Sequence, residues 1–377
     1  MLGLLLLLLG VVSGNYIIMF KEQLREGDHE AVGQIDCVLT LSDIDSAPTL
    51  IVVRDDHAEL LAYLESKSYT YILEHDEVIR PEGATPWGLD RLDQKNLPLD
   101  NSYTPPNTGS GVHIYVVDSG VNIAHTAFLG RIARDYVTPG ELEAPCDFHG
   151  TWVASIAGGT GYGVAQAAFL HDIHVSRSSL DCAFYTSDVL NALVYIANNG
   201  QSPMVINLSF QGGQSQCIDV MLAQLRAQDA FIVAAAGNSG SSTLSCFLSP
   251  SSSPDVWSVG ATTTSDWLAS FSNRNNCVRI YAPGQDIPGA RFDNNNGAVV
   301  ASGTSASAPH LAGVGALAWA TGALSVAEVD NQIYFWALED IVKGTPEANP
   351  LFASLVGMEV SLASRSMATL LYFILAL

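Results

Sequence analysis

The stretch His113-Ile114-Tyr115-Val116-Val117-Asp118-Ser119-Gly120 runs apolar and β-favouring residues into an aspartate and ends on a Ser-Gly turn. It reads as a buried strand with a carboxylate at its C-terminal tip. In open parallel sheets that tip is where functional groups collect. Downstream, similar runs predict strands over 169–175, 204–210, 231–236 and 256–260, and the stretch itself gives one over 112–117. Between them fall helical patterns over 151–157, 187–199, 218–227 and 305–320, with Val189, Leu190, Leu193 and Ile196 at helical spacing. Strands alternating with helices predict an α/β chain with a doubly wound, mostly parallel sheet.

Composition narrows the partners. The chain has 377 residues, 14% charged and 48% hydrophobic, which is the make-up of a folded globular protein. Its formal net charge of −22 argues against nucleic acid and anionic membrane surfaces.

Two further segments complement Asp118. In Gly303-Thr304-Ser305-Ala306-Ser307-Ala308-Pro309-His310 a serine opens an Ala/Gly/Leu-rich helix. There, free backbone N–H groups and the positive helix end can stabilise an oxyanion. A serine alone is a weak nucleophile and needs a base. His149, in Phe148-His149-Gly150-Thr151-Trp152-Val153-Ala154, stands at the start of a predicted buried helix and is the base candidate. A fourth run, Phe231-Ile232-Val233-Ala234-Ala235-Ala236-Gly237-Asn238, predicts a buried strand ending in a Gly-Asn turn.

Asp118-Ser119-Gly120, His149-Gly150-Thr151 and Gly303-Thr304-Ser305 with Pro309-His310 occur in the order of the three catalytic blocks of subtilisin-type serine proteases. The chain resembles that family, and within it the proteinase K-like branch, from about residue 86 to the low 340s. The resemblance implies a serine endopeptidase with Asp118, His149 and Ser305 as triad and Asn238 as the side-chain oxyanion donor. The rival reading is a protease-scaffold binding protein trapped by its own propeptide. Protein or peptide substrates, no nucleic acid and a monomer are the expected partners and state.

The apolar runs at the two ends, together with the same resemblance for the rest, divide the chain. Residues 1–14 are expected to be a signal peptide, 15–84 an inhibitor-like α+β propeptide, 85–343 the subtilisin-like catalytic domain, and 344–377 a tail with an apolar end. The propeptide is expected to act as an intramolecular inhibitor, with self-cleavage between Arg80 and Ala84. Secretion to the extracellular space follows. The alternative is a lipid anchor signalled by the apolar tail, which is too short to span a bilayer as a helix.

Six cysteines, Cys37, Cys146, Cys182, Cys217, Cys246 and Cys277, allow 15 pairings by spacing. Similarity to proteinase K-like relatives implies Cys146–Cys182 and Cys246–Cys277, with Cys37 and Cys217 left over.

The family resemblance also implies a substrate wall of Ser209, Phe210 and Gln211 facing Ala235, Ala236 and Gly237. Main-chain pairing with extended substrate is expected along the first segment. The small residues of the second leave room for an apolar or aromatic side chain before the scissile bond. Gln211 stands where the family usually has glycine and narrows that room. Trp152 replaces the family's common histidine and is expected to pack near His149.

Arg279 stands where proteinase K-like members typically carry a calcium-ligating aspartate. A guanidinium cannot ligate a cation, so the main calcium site is expected to be lost and no cofactor or metal is expected. His125, His171, His174 and His310 are expected to fill structural roles, and the sequon Asn207-Leu208-Ser209 to be buried.

Overall fold

The computed structural model describes residues 16–20, 24–35, 38–42, 50–53, 58–75, 85–141, 143–177, 182–241, 244–346 and 350–358. The expected signal peptide, the Arg80–Ala84 cleavage segment, Cys37 and the apolar tail lie outside the described residues. Contacts divide the chain into two compact units, Met1–Ile79 and Arg80–Leu377.

The first unit holds β1 (Tyr16–Phe20), α1 (Glu26–Gly33), β2 (Val38–Ser42), β3 (Leu50–Val53), α2 (Ala58–Ser66) and β4 (Tyr71–His75). Its strands form an antiparallel sheet in the order β2-β3-β1-β4. Ile18 and Phe20 on one face of β1 pack with Val32 of α1 and Leu60 and Leu64 of α2. Asp28 gathers the polar side of this core, accepting from Tyr63 Oη (2.7 Å), Tyr69 Oη (2.7 Å) and Lys67 Nζ (2.9 Å). These donors, Lys67 first, hold its carboxyl well below the usual carboxylate range.

The second unit begins with α3 (Trp87–Leu92), β5 (His113–Asp118), β6 (Ile132–Val137), α4 (His149–Gly158), β7 (Phe169–His174) and α5 (Thr186–Asn199). It continues with β8 (Met204–Leu208), β9 (Gly212–Gly213), α6 (Gln216–Ala227), β10 (Phe231–Ala235), β11 (Leu248–Ser249), β12 (Trp257–Thr262) and β13 (Ile280–Pro283). It ends with β14 (Ile287–Ala290), β15 (Ala298–Ala301), α7 (Thr304–Trp319), α8 (Val326–Trp336), β16 (Leu338–Glu339) and β17 (Leu351–Phe352). Nine of these strands form one sheet in the order β16-β17-β13-β12-β10-β8-β5-β7-β6, parallel except for the β16–β17 edge pair.

Both faces of the sheet are covered. One apolar core joins Ile114, Val116, Val233 and Val259 to α4 and α7, and the other joins Tyr115, Val117, Ile206 and Ile232 to α5 and α6. Strands buried on both sides read as continuous apolar runs, which is why β8, β10 and β12 are buried at every residue. The chain leaves β5 toward β6 and β7 on one side and returns to β8 on the other. The carboxyl ends of β5 and β8 therefore border a switch in chain direction, the usual place for a site.

β6, β13 and α8 were not expected from the sequence. β6 alternates Ile132, Arg134 and Tyr136 with Ala133 and Asp135, all partly buried, and carries too few apolar residues to register as a strand. Arg134 is held there by Asp172 of β7 (2.8 Å).

Candidate active site

Asp118 ends β5 and is 1% exposed. Its Oδ1 accepts from the Ser119 N–H (2.7 Å) and from His149 Nδ1 (2.7 Å). Because Nδ1–H donates to the carboxylate, the other ring nitrogen, Nε2, is left as the acceptor. His149 is the first residue of α4. Its N–H donates to Asp147 Oδ1 (2.9 Å), and the Ser119 hydroxyl donates to the same oxygen (2.5 Å) while accepting from the Gly150 N–H (3.0 Å). Helix-start donors that would otherwise be orphaned are thus bound to Asp147 and to the turn that follows Asp118.

Gly150 is required for this approach. A β-carbon there would lie 2.4 Å from the Gly120 carbonyl oxygen. The Cys146–Cys182 disulfide sits just before, and the Cys146 N–H donates to the Ser119 carbonyl (2.9 Å). Trp152 is buried, its ring centred 6.1 Å from that of His149, with Nε1 donating to the Ile287 carbonyl (3.0 Å). Burial alone would pull the His149 pKa down. The Asp118 charge and hydrogen bond, aided by the Asp147 charge, outweigh it, and the net shift is upward.

Ser305 is the second residue of α7, a helix whose every residue is buried. Its Oγ donates to the Ser209 carbonyl (3.0 Å), and the Ser209 hydroxyl donates back to the Ser305 carbonyl (3.0 Å). Among the described residues no hydrogen bond joins Ser305 to His149, and the hydroxyl donates to the Ser209 carbonyl instead. Catalytic hydrogen bonds are commonly long or unformed without substrate.

Asn238 is exposed beyond the end of β10. Its Oδ1 accepts from the Thr304 N–H (2.8 Å) and Thr304 Oγ1 (2.9 Å). With the oxygen fixed, the Nδ2 hydrogens are left to donate. Thr304 Oγ1 also accepts from the Gly237 N–H (3.0 Å). Thr304, Ser119 and Asp147 were not singled out in the sequence. The signal for each was present as a hydroxyl or carboxyl one or two positions from a site residue.

Next to Gln211, β9 pairs antiparallel with β11. Ala235 and Ala236 are buried at 3% and 0% exposure. Gln211 is exposed but reaches across, its side-chain oxygen lying against Gly237. Phe210 and Gln211 also border a cavity of about 260 Å³ lined by Phe184, Val189 and Ile218.

The remaining sequence candidates fall as follows. Cys246 and Cys277 are bonded, and Cys217 is exposed and bonded to no described cysteine. Arg279 Nη2 donates to the Pro254 carbonyl (2.5 Å). A cation is repelled where that guanidinium lies, so these residues do not fit the calcium site of the resembling branch. Among the described residues no group of three His, Cys, Asp or Glu could hold a metal ion. His125 bonds the Ala127 N–H (3.1 Å) and the Gly297 carbonyl (2.9 Å), and His171 bonds Asp135 (2.5 Å). His174 Nε2 meets Ser176 Oγ (2.8 Å). His310 meets the Ala306 carbonyl (2.8 Å), and Asn207 is fully buried.

Known proteins resemble this chain. The Subtilase family profile matches residues 109–338. An extracellular serine proteinase of Thermus sp. (strain Rt41A) is 38% identical over 370 residues, covering 90% of this chain and 88% of that protein. Alkaline protease 1 of Aspergillus clavatus is 32% identical, covering 77% of this chain and 72% of that protein. The crystal structure of a cold adapted subtilisin-like serine proteinase superposes with a TM-score of 0.68 at 36% identity, over 72% of this chain and 98% of that one. The chain belongs to the subtilase family and is a serine-type peptidase with the subtilisin-like α/β fold.

Proposed function

We infer that the chain is a secreted serine endopeptidase, made as a self-processed zymogen, that works through Asp118, His149 and Ser305. Ser305 Oγ attacks the scissile carbonyl while His149 Nε2 takes its proton. The tetrahedral oxyanion is held by Asn238 Nδ2 and the Ser305 N–H. His149 then gives the proton to the leaving amine, and the acyl-enzyme is hydrolysed by water with the same base. Asp118 orients the imidazole and stabilises its charged form.

The observation that carries this reading is the 2.7 Å bond between His149 Nδ1 and buried Asp118. It selects the tautomer a general base requires. The separately compact, antiparallel α+β unit ahead of the catalytic unit supports the zymogen reading, with that unit as intramolecular inhibitor. Arg279 bound to Pro254 supports activity without calcium at that place.

Expression of the chain from Asn15 beside a Ser305→Ala control tests both parts. The account expects a shortened product with a new amino terminus near residues 80–84 in the active form only. Processing of the control, or intact chain in both, contradicts self-cleavage.

A further inference from the structure

Ser209 and Asn238 both touch the residues around the nucleophile: Ser209 exchanges two hydrogen bonds with Ser305, and Asn238 Oδ1 binds Thr304. A substrate whose carbonyl carbon meets Ser305 and whose oxygen meets Asn238 carries its acyl-side side chain on the carbon bonded to that carbonyl. The resemblance to subtilisin-type proteases puts that side chain between the segment after Ser209 and the segment before Asn238.

Gln211 lies across this entrance. A β-carbon built on Gly237 would sit 2.1 Å from Gln211 Oε1 and 3.2 Å from its Cδ. The Gln211 carboxamide is therefore packed on the Gly237 backbone, on the far side of the gap from its own segment. Gly237 cannot recede to make room. Its φ is +106°, its N–H is bound to Thr304 Oγ1 (3.0 Å) and its carbonyl accepts from the Asn273 N–H (2.9 Å). Asn273 is itself fixed, donating to the Ala236 carbonyl (2.9 Å) and accepting from Ser239 Oγ (2.7 Å).

We propose that Gln211 sets the specificity of this peptidase, restricting the residue before the scissile bond to small side chains such as Ala, Ser and Gly. The proposal rests on Ser305 being the nucleophile. A phenyl or isobutyl group must either displace the carboxamide from Gly237 or bury its N–H and C=O groups without partners. Leaving such groups unpaired costs roughly 10- to 100-fold in kcat/KM. This departs from the apolar preference that the small residues 235–237 alone imply.

The test uses the processed enzyme and its Gln211→Gly and Gln211→Glu variants on peptides that differ only in Ala, Ser, Leu or Phe before the scissile bond. A serine-directed phosphonate reports whether each enzyme is folded and competent at Ser305. The expected result is wild type favouring Ala over Phe by about tenfold or more. In Gln211→Gly the ratio falls by at least that factor, while Gln211→Glu, which keeps the bulk, retains the small-residue preference. Equal use of Phe and Ala by wild type, or an unchanged ratio in Gln211→Gly with Ser305 labelled, overturns the proposal and leaves the peptidase reading standing. No hydrolysis of any peptide together with no label on Ser305 overturns both.

Discussion

The two sides of the site are built on different plans. The corner around Asp118 and His149 is fixed by main-chain and carboxylate bonds from three segments: the Asp118 turn, the Asp147 loop and the start of α4. The proposed substrate wall turns on one exposed side chain, Gln211, lying over Gly237. The chemistry is thus held by many redundant contacts, and the selectivity by very few. Changes at the corner should lower turnover for every substrate, whereas changes at the wall should reorder substrates.

The largest effect expected is at the nucleophile. Ser305→Ala should lower kcat by roughly 10⁶-fold on all peptides, a loss characteristic of a triad acting as a unit. Hydrolysis of paired Ala and Phe peptides checks that both fall together. Asn238→Ala should lose about 10²–10³ in kcat with little change in KM, because its amide acts only on the transition state. A change confined to KM would place Asn238 in the wall instead.

The helix that carries Ser305 has an acid limit of its own. His310 lies one helical turn after Ala306 and is 1% exposed, and burial pulls its pKa from 6.5 down to about 4. The unfolded chain binds this proton more readily than the folded one. The contribution of His310 to stability is therefore complete above about pH 6.5 and is lost as pH drops toward 4, by about 3 kcal/mol over that window. Thermal melts of wild type and His310→Gln between pH 4 and 7 should show a shallower slope in the variant.

The smallest expected effect concerns His149. Its raised pKa places the acid limb of kcat/KM above the ordinary histidine value of 6.5. Activity should therefore fall as pH drops through that higher value. Asp147→Asn removes one contributor and should move the limb down by less than about one pH unit. The ratio of Ala to Phe cleavage should stay fixed across this titration, since Gln211 carries no titrating proton.

Much of the corner was legible in the sequence because its parts end regular elements. Asp118 closes an apolar run, and His149 and Ser305 open helices, so periodicity alone puts each at an element boundary. Asp147, Ser119 and Thr304 were not legible, since a hydroxyl or carboxyl in a turn is common and only tertiary approach gives it a partner. The same holds for β6, whose polar residues are balanced by a strand pairing that sequence periodicity does not contain. Gln211 stood out as a departure in type, but its reach to Gly237 depends on the spacing of two strand ends brought together by the parallel sheet. Arg279 was legible as a charge unsuited to ligation, and its Pro254 partner was not.

The central claim is that Ser305 is made nucleophilic by His149. Its most direct test is the rate at which a serine-directed phosphonate labels the processed enzyme as a function of pH, with the adduct located by mass spectrometry. The account predicts a single adduct on Ser305, formed more slowly as pH falls through a value above 6.5 and lost in His149→Ala. An adduct on another residue, or labelling of Ser305 undiminished in His149→Ala, would contradict it.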